Sequence, residues 1–209
     1  MGTLSCTGSV YSWAVNVDGR TARAIRTRRA VVDAFMALLE EGDLRPSGER
    51  IAERAGVSLR ALWANFADLE TLYAAGHQRT LERQHELARR INPRLPLPAR
   101  IGALCRQRAQ VLEFIAPMAR AAAVREPFSP QLRANRRRQF EIARDELRQL
   151  FAAELADGES DELLDALTAA TTWPAWSCLR DDLGLSVAAA QKTMARTLSA
   201  LLSQEKPDQ

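Results

Sequence analysis

The sequence predicts an all-α protein of about nine helices, in which a group of short helices precedes a helical bundle. Two observations predict this class. Apolar residues recur with a period of about 3.6 residues from near residue 21 onward, and no alternating stretch typical of a β-strand interrupts them. The chain has 209 residues, 46% of them hydrophobic, so it is long enough to bury a core without disulfides or metal ions.

The N-terminal end of the chain differs from the remainder. Residues 1–20 lack the helical period and contain several Gly, Ser and Asn residues, so we expect a flexible tail there. The first helix is predicted over residues 21–41, because Val31 and Phe35 fall on one apolar face. Gly42 is predicted to end it, since glycine tolerates the left-handed backbone that commonly follows a helix.

Two short helices follow, and a serine precedes each of them. Ser47 and Ser58 are favourable N-caps because the hydroxyl oxygen accepts a hydrogen bond from an unpaired backbone amide of the first turn. These helices are predicted to end near Ala55 and near Asn65. The next capping residue, Asp68, predicts the start of a longer helix.

This fourth helix is predicted to continue to about Ile91, where three prolines within residues 92–98 predict a stiff linker. The later predicted helices cover about 98–115, 117–125, 130–156, 160–182 and 186–203. Pro174 lies inside the fourth of these and predicts a kink.

The two short helices have the spacing of a helix-turn-helix. Ala52 is small where the two backbones must approach closely, and Gly56 supplies the turn residue. The apolar residues Ile51, Val57 and Leu62 are placed to close a small core under the turn. An N-terminal three-helix helix-turn-helix domain followed by a C-terminal helical bundle is therefore the predicted architecture.

Basic residues are concentrated in this part of the chain. Residues 20–66 hold nine arginines and six acidic residues, a net charge of +3 that equals the net charge of the whole chain. A concentrated basic region favours a polyanionic partner such as DNA.

Residues 51–58, Ile-Ala-Glu-Arg-Ala-Gly-Val-Ser, followed by Leu62-Trp63, Phe66, Glu70 and Leu72, resemble the N-terminal domain of the tetracycline-repressor (TetR) family. The resemblance in motif extends over residues 28–72, and beyond it only the helix count and the length agree. It implies a homodimeric transcription regulator whose third helix enters the DNA major groove. It also implies a DNA-binding domain over 21–68 and a ligand-binding and dimerisation domain over 69–209.

Eight residues are the candidates for DNA contact: Ser47, Ser58, Leu59, Arg60, Ala61, Trp63, Asn65 and Arg28. Ser58 at a helix N-terminus is suited to a phosphate, and Ser47 matches a phosphate-contacting position of the family. Arg60 is suited to a bidentate contact with guanine worth about 1–3 kcal/mol of discrimination, the alternative being a phosphate contact or none. Leu59 and Ala61 are candidates for contact with a thymine methyl.

Three positions depart from the family. Trp63 stands where the family usually has Tyr, although its indole N–H can still donate to a phosphate, and Asn65 replaces the common His or Tyr. Leu69 replaces a Lys that grips the DNA backbone, so non-specific affinity should be weaker and less dependent on salt. Arg28 and the arginines near it are candidates to compensate, and a solvated charged face is the alternative.

In the C-terminal part, large apolar side chains are the candidates for contact with a small hydrophobic or aromatic effector: Phe114, Met118, Phe140, Trp173 and Trp176. The alternative for each is ordinary core packing. The family's dimer interface, carried over to the last two helices, would contain Leu163, Leu167, Met194, Leu198 and Leu201. The alternative is that these residues close the core of a single subunit. A symmetric dimer requires a palindromic operator.

Other functional classes have little support. His77 and His85 lie eight apart on one helix without a further ligand, and the three cysteines have no metal-ligand spacing, so no metal or other cofactor is expected. No nucleophile elbow or phosphate-binding glycine loop is present, so no catalytic residue is assigned and an enzyme is not expected. The apolar runs are too short for a membrane span, and no signal peptide is evident, which favours the cytoplasm.

The sequence thus predicts a DNA-binding transcriptional regulator, specifically a homodimeric repressor that a small apolar effector releases. Two alternatives stay open at this point. One is a regulator that works without a ligand, and the other is a protein-interaction module that has lost operator binding.

Overall fold

The computed structural model describes residues 19–87, 89–155 and 160–203, and within these ranges the chain is helical with no β-strand. The helices are α1 (Gly19–Glu40), α2 (Gly48–Ala55), α3 (Leu59–Asn65), α4 (Leu69–Leu87), α5 (Leu97–Arg125), α6 (Pro130–Leu150), α7 (Ser160–Thr171), α8 (Trp173–Ser177) and α9 (Val187–Leu202). A 3₁₀ turn at Glu126–Phe128 follows α5, and a π-helical turn at Cys178–Asp182 follows α8. The predicted all-α class is confirmed.

Two predicted boundaries were wrong, and both involve proline. Helix α5 runs through Pro117 without a break, although two helices were predicted there. Proline removes one backbone hydrogen bond, but the buried neighbours Ala116 and Met118 hold the helix in place by packing. The predicted helix 160–182 is instead divided at Thr172, which has an extended backbone and precedes α8. Pro174 lies in the first turn of α8, where its missing N–H is tolerated.

The ends of the other helices differ by a few residues from the predicted ones. Of the predicted flexible tail, residues 1–18 lie outside the described residues, whereas Gly19 and Arg20 belong to α1. Helix α4 is described to Leu87 rather than to Ile91, and α6 ends at Leu150 rather than near residue 156.

The C-terminal core consists of buried residues from helices α5 to α9 and includes Phe151, which follows α6. Leu167, Met194 and Leu198, which were predicted to face a second subunit, are at most 2% exposed and lie inside this core. Leu163 and Leu201 pack against it and are only partly exposed. For these three buried side chains the helical period identified the face turned to the subunit's own core, whereas the assignment of Leu163 and Leu201 to a dimer interface stays a prediction.

Trp176 belongs to the same core and is fully buried. Its indole Nε1 donates to Glu113 Oε1 at 2.8 Å, and Arg180 Nε donates to the same oxygen at 2.8 Å. The hydrogen bond from Arg180 holds the pKa of the Glu113 carboxyl below its ordinary value. Trp176 therefore links α8 to α5 through its hydrogen bond to Glu113.

The N-terminal core combines α1, α2 and α3 with residues that lie beyond the short helices. Its buried members include Phe35, Ile51, Leu62 and Phe66, and also Leu72 and Tyr73 of α4 and Met118 and Ala121 of α5. The Phe35 and Tyr73 rings meet edge to face, with centroids 4.7 Å apart. The helix-turn-helix thus shares its core with the two long helices.

Three helices meet at Gly76 of α4. A Cβ placed on this glycine would lie 2.8 Å from Met118 Cε, closer than packed atoms allow, and 3.0 Å from Phe35 Cε1, which is tighter than an ordinary van der Waals contact. We call this contact of α1, α4 and α5 the Gly76 junction. The absence of a side chain at Gly76 lets the three helices approach each other this closely.

None of the helices in the described ranges is long and apolar enough to cross a lipid bilayer.

The Gly76 junction predicts an unusual response to a Gly→Ala substitution. Alanine is normally favoured over glycine inside a helix by about 0.5–1 kcal/mol. We expect Gly76→Ala to lower the free energy of unfolding by about 1–3 kcal/mol instead, because the added Cβ forces the fully buried Phe35 ring to shift within the N-terminal core. The control is Gly102→Ala in α5, whose Cβ would meet only Arg106 Nη1 at 3.4 Å and should stabilise. Urea unfolding of both variants measures this, and equal stabilisation by both would contradict the prediction.

Candidate functional site

The turn between α2 and α3 has the geometry that the sequence predicts. Gly56 ends α2 with a left-handed backbone at φ 65°, and the N–H of Val57 donates to Ala52 O at 3.0 Å. Ile51 and Leu62 are fully buried on either side of the turn. The helix-turn-helix is confirmed in this part of the chain, with α3 as its second helix.

Both predicted capping serines cap their helices. Ser47 Oγ accepts from the Arg50 amide at 3.4 Å, and Ser58 Oγ accepts from the Ala61 amide at 3.1 Å. The hydroxyl of Ser58 keeps its own hydrogen, so it can donate to a second group outside the domain, whereas the hydroxyl of Ser47 has the Glu49 carboxylate as a neighbouring acceptor. Both serines are exposed, which places two hydroxyl donors at two helix N-termini.

Trp63 connects α3 to α2. Its ring lies so close to Gly48 that a Cβ there would be 2.5 Å from Trp63 Cζ2. The side chain stays 39% exposed, and within the described residues its indole N–H donates to no acceptor. The role of Gly48 was not predicted from the sequence. A glycine directly after an N-cap, with a tryptophan in the following helix, is the pattern that would have indicated it.

Two of the side chains that are predicted to contact DNA already form contacts within the protein. Arg28 Nη1 donates to the backbone oxygen of Asn65 at 2.7 Å, and the guanidinium lies over the Phe66 ring, 4.2 Å from its centroid. Asn65 Nδ2 donates to Ala61 O at 2.8 Å. Arg28 and Asn65 therefore hold the C-terminal end of α3, and a contact with DNA would come in addition to this role.

The other arginines of the domain divide into paired and unpaired ones. Arg50 pairs with Asp43 at 2.7 Å, and Arg54 pairs with Glu41. Arg60 is exposed on α3 and has no acidic partner within the described ranges. It is therefore the basic side chain that the second helix of the motif presents to solvent.

The apolar residues that are predicted to contact DNA are less exposed to solvent than expected. Leu59 is partly buried and packs against the N-terminal core, as does Leu69 at the start of α4. Ala61 is also partly buried. Apart from Arg28, which holds the end of α3, the exposed candidates are Ser47, Ser58, Arg60 and Trp63, and we call these four residues the α3 surface.

A cavity of about 190 Å³ lies between α4, α5, α6 and residues 171–174. Met118, Phe140 and Trp173 line it, as the sequence analysis expected for an effector site. Phe114 and Trp176 are not among its lining residues, and Trp176 belongs to the C-terminal core instead.

The sequence analysis missed the contribution of α4 to this cavity. His77, Thr80, Leu81 and Gln84 line it from one face of α4, because their spacing of three, four and seven residues places them on adjacent turns. Burial lowers the pKa of His77, which favours its neutral form. No group of three or more metal-ligating side chains occurs in the described part of the chain, and the side chain of His85 lies outside it.

These assignments predict different behaviour for two exposed arginines. Arg28→Ala should lower the free energy of unfolding by about 1–2 kcal/mol, because it removes a hydrogen bond to the end of α3 and a cation–π contact. Arg60→Ala should change it by less than about 0.5 kcal/mol, since Arg60 has no partner to lose. Thermal and urea unfolding of the two variants measures this, and equal losses would contradict the assignment.

Solved structures of other proteins share the fold of this chain. No family model matches the chain, and no curated protein matches it. A transcriptional regulator from Rhodococcus sp. RHA1 matches in structure with a TM-score of 0.63 and 21% identity, over 89% of this chain and 99% of that one. A TetR-like transcriptional regulator from the same organism matches with a TM-score of 0.55 and 19% identity, over 88% and 97%. The chain therefore has the fold of TetR-like transcriptional regulators, as its helix-turn-helix sequence predicts.

Proposed function

We propose that this protein is a sequence-specific DNA-binding transcriptional regulator, and that it acts as a homodimeric repressor which a small apolar effector releases from its operator. The observation that carries the proposal is the α3 surface. There an unpaired arginine on the second helix of a helix-turn-helix stands beside two capped helix N-termini. Solved structures of the same fold are described as transcriptional regulators, which supports this choice.

The residues of the α3 surface have different roles in DNA binding. Ser47 and Ser58 offer hydroxyl donors at positive ends of helix dipoles, and the Trp63 indole offers a third donor. Such contacts to phosphate fix the register of a protein on DNA without reading the sequence. Arg60 then reads a base edge, most favourably the two acceptors of guanine in the major groove.

The homodimer is proposed to form through the outward face of α9 rather than its buried face. Thr193 and Thr197 are exposed there, and their hydroxyls donate to Ala189 O at 3.0 Å and to Thr193 O at 3.1 Å. Because these hydroxyls are satisfied within the helix, small methyl groups and Ala200 face outward, which suits close helix packing. Two such subunits would place their α3 helices about one DNA turn, roughly 34 Å, apart.

Release by an effector is proposed to act through Met118. This side chain lines the cavity and also lies against Gly76, beside Phe35, in the Gly76 junction. A molecule that changes the position of Met118 therefore acts on α1 and α4, the helices that support α2 and α3. A ligand shifts the protein toward the state that it binds more tightly, here one with the α3 helices mis-spaced for DNA.

The proposal predicts selection of a palindromic site from a pool of random DNA duplexes. Arg60→Ala should abolish or relax the preference at one position of each half-site, at a cost of about 1–3 kcal/mol. Arg106→Ala, an exposed arginine of α5 remote from α3, is the matched control and should select the native site. Selection followed by affinity measurement at two salt concentrations tests both variants.

Two results would count against the proposal. Failure of the native protein to enrich any sequence at low salt would remove the operator-binding function. An unchanged site in Arg60→Ala would leave regulation possible but would take the base-reading role away from Arg60.

A further inference from the structure

We propose that the cavity between α4, α5 and α6 selects an uncharged molecule that consists of one substituted ring and carries a hydroxyl or carbonyl oxygen. The inference rests on the proposed function for the role of this molecule as effector. The binding itself is a property of the isolated protein and is measured without DNA.

The size and the walls of the cavity set the body of the ligand. A volume of about 190 Å³ is somewhat larger than the cavity of roughly 150 Å³ that accommodates benzene in an engineered protein. Helix α5 contributes Val111, Leu112 and Ile115 to the wall, while Phe140 and Trp173 contribute aromatic faces. These walls suit one apolar ring with a short substituent.

The charged residues of the lining are already compensated. Arg108 Nη2 pairs with Glu146 at 2.7 Å, and Arg136 Nη1 pairs with Glu126 at 2.9 Å. The Arg136 guanidinium also lies over the Phe140 ring, 5.8 Å from its centroid. A charged ligand would therefore find the opposite charges of the lining already paired and would lose part of its hydration on entry, which is costly.

The hydroxyl groups of the lining are also satisfied. Thr80 Oγ1 donates to Gly76 O at 3.0 Å, and Thr171 Oγ1 donates to Leu167 O at 2.8 Å. These donors are occupied by the backbone of their own helices, so they offer a ligand little beyond their methyl groups.

Three polar side chains and one buried nitrogen remain without a partner in the described ranges. His77, Gln84 and Gln139 line the cavity and take part in no hydrogen bond there, and Arg108 Nε is buried with no acceptor. His77 stands on α4 and Gln139 on α6, so polar groups reach the cavity from two walls. Amide and imidazole groups donate and accept hydrogen bonds, which matches a neutral oxygen of a ligand.

Burial supports the same assignment at His77. The lowered pKa of its imidazole means that the ring is neutral near pH 7, with one donor and one acceptor nitrogen. A neutral His77 adds no positive charge to the lining.

Four probes that share a para-ethylphenyl group test the inference with the full-length protein: para-ethylphenol, para-ethyltoluene, para-ethylbenzoate and para-ethylbenzylammonium. Isothermal titration calorimetry gives each dissociation constant. We expect the phenol to bind most tightly, and the hydrocarbon and both ions to bind about tenfold more weakly or worse. Tighter binding of either ion, equal binding of all four probes, or no binding of the phenol would each overturn the inference.

A pair of variants locates the polar contact. Gln139→Leu should remove most of the preference for the phenol over the hydrocarbon, because it takes an amide out of the cavity wall. Gln131→Leu, an exposed position on the same helix outside the lining, should keep that preference. Loss of the preference in both variants, or in neither, would contradict the contact.

The same preparations separate this inference from the proposed function. If the protein selects a DNA site but binds no neutral probe, the ligand class is wrong while the regulator remains. If it binds the phenol as expected but no DNA, the cavity assignment holds and the regulatory function is lost.

Discussion

The close approach of α1, α4 and α5 at Gly76 is the contact on which the other parts of the structure depend. Phe35 and Met118 fill the space that a side chain at Gly76 would occupy. Because Met118 and Ala121 of α5 belong to the N-terminal core, the helix-turn-helix rests on the helices that also form the cavity. Helices α1 and α4, which support α3, are thereby packed against residues of α5 that lie far from α3 in sequence.

The basic residues of the N-terminal part do not all face the solvent without partners. The basic residues that the sequence concentrates there serve different purposes: Arg28 holds the end of α3, while Arg50 and Arg54 pair with acidic residues between helices. Exposed ion pairs of this kind contribute little stability, but they occupy cations that a count of charges would assign to DNA. Arg60, like Arg23, Arg26, Arg29 and Arg45, has no such partner in the described chain, and it is the basic residue that lies on α3.

The sequence predicted those features that local chemistry determines. The caps Ser47 and Ser58 and the left-handed Gly56 each act within a few residues, so the helix-turn-helix could be predicted in detail. The course of α5 through Pro117 could not, since distant packing outweighs the lost hydrogen bond. The helical period identified Leu167 and Met194 as part of an apolar face. It could not show that this face turns to the subunit's own core rather than to a second subunit. Gly48 and the cavity face of α4 were missed because their partners come from other helices.

Native-state hydrogen exchange tests most directly the claim that the helix-turn-helix and α5 share one core. The measurement compares the opening free energy of buried amides in α1, around Phe35, with that of amides in α5, around Met118. We expect equal values, because unfolding of α1 removes the contacts that hold this half of α5 at the Gly76 junction. A much lower value for α1 than for α5 would show that the helix-turn-helix opens as a separate unit, and it would contradict the shared core.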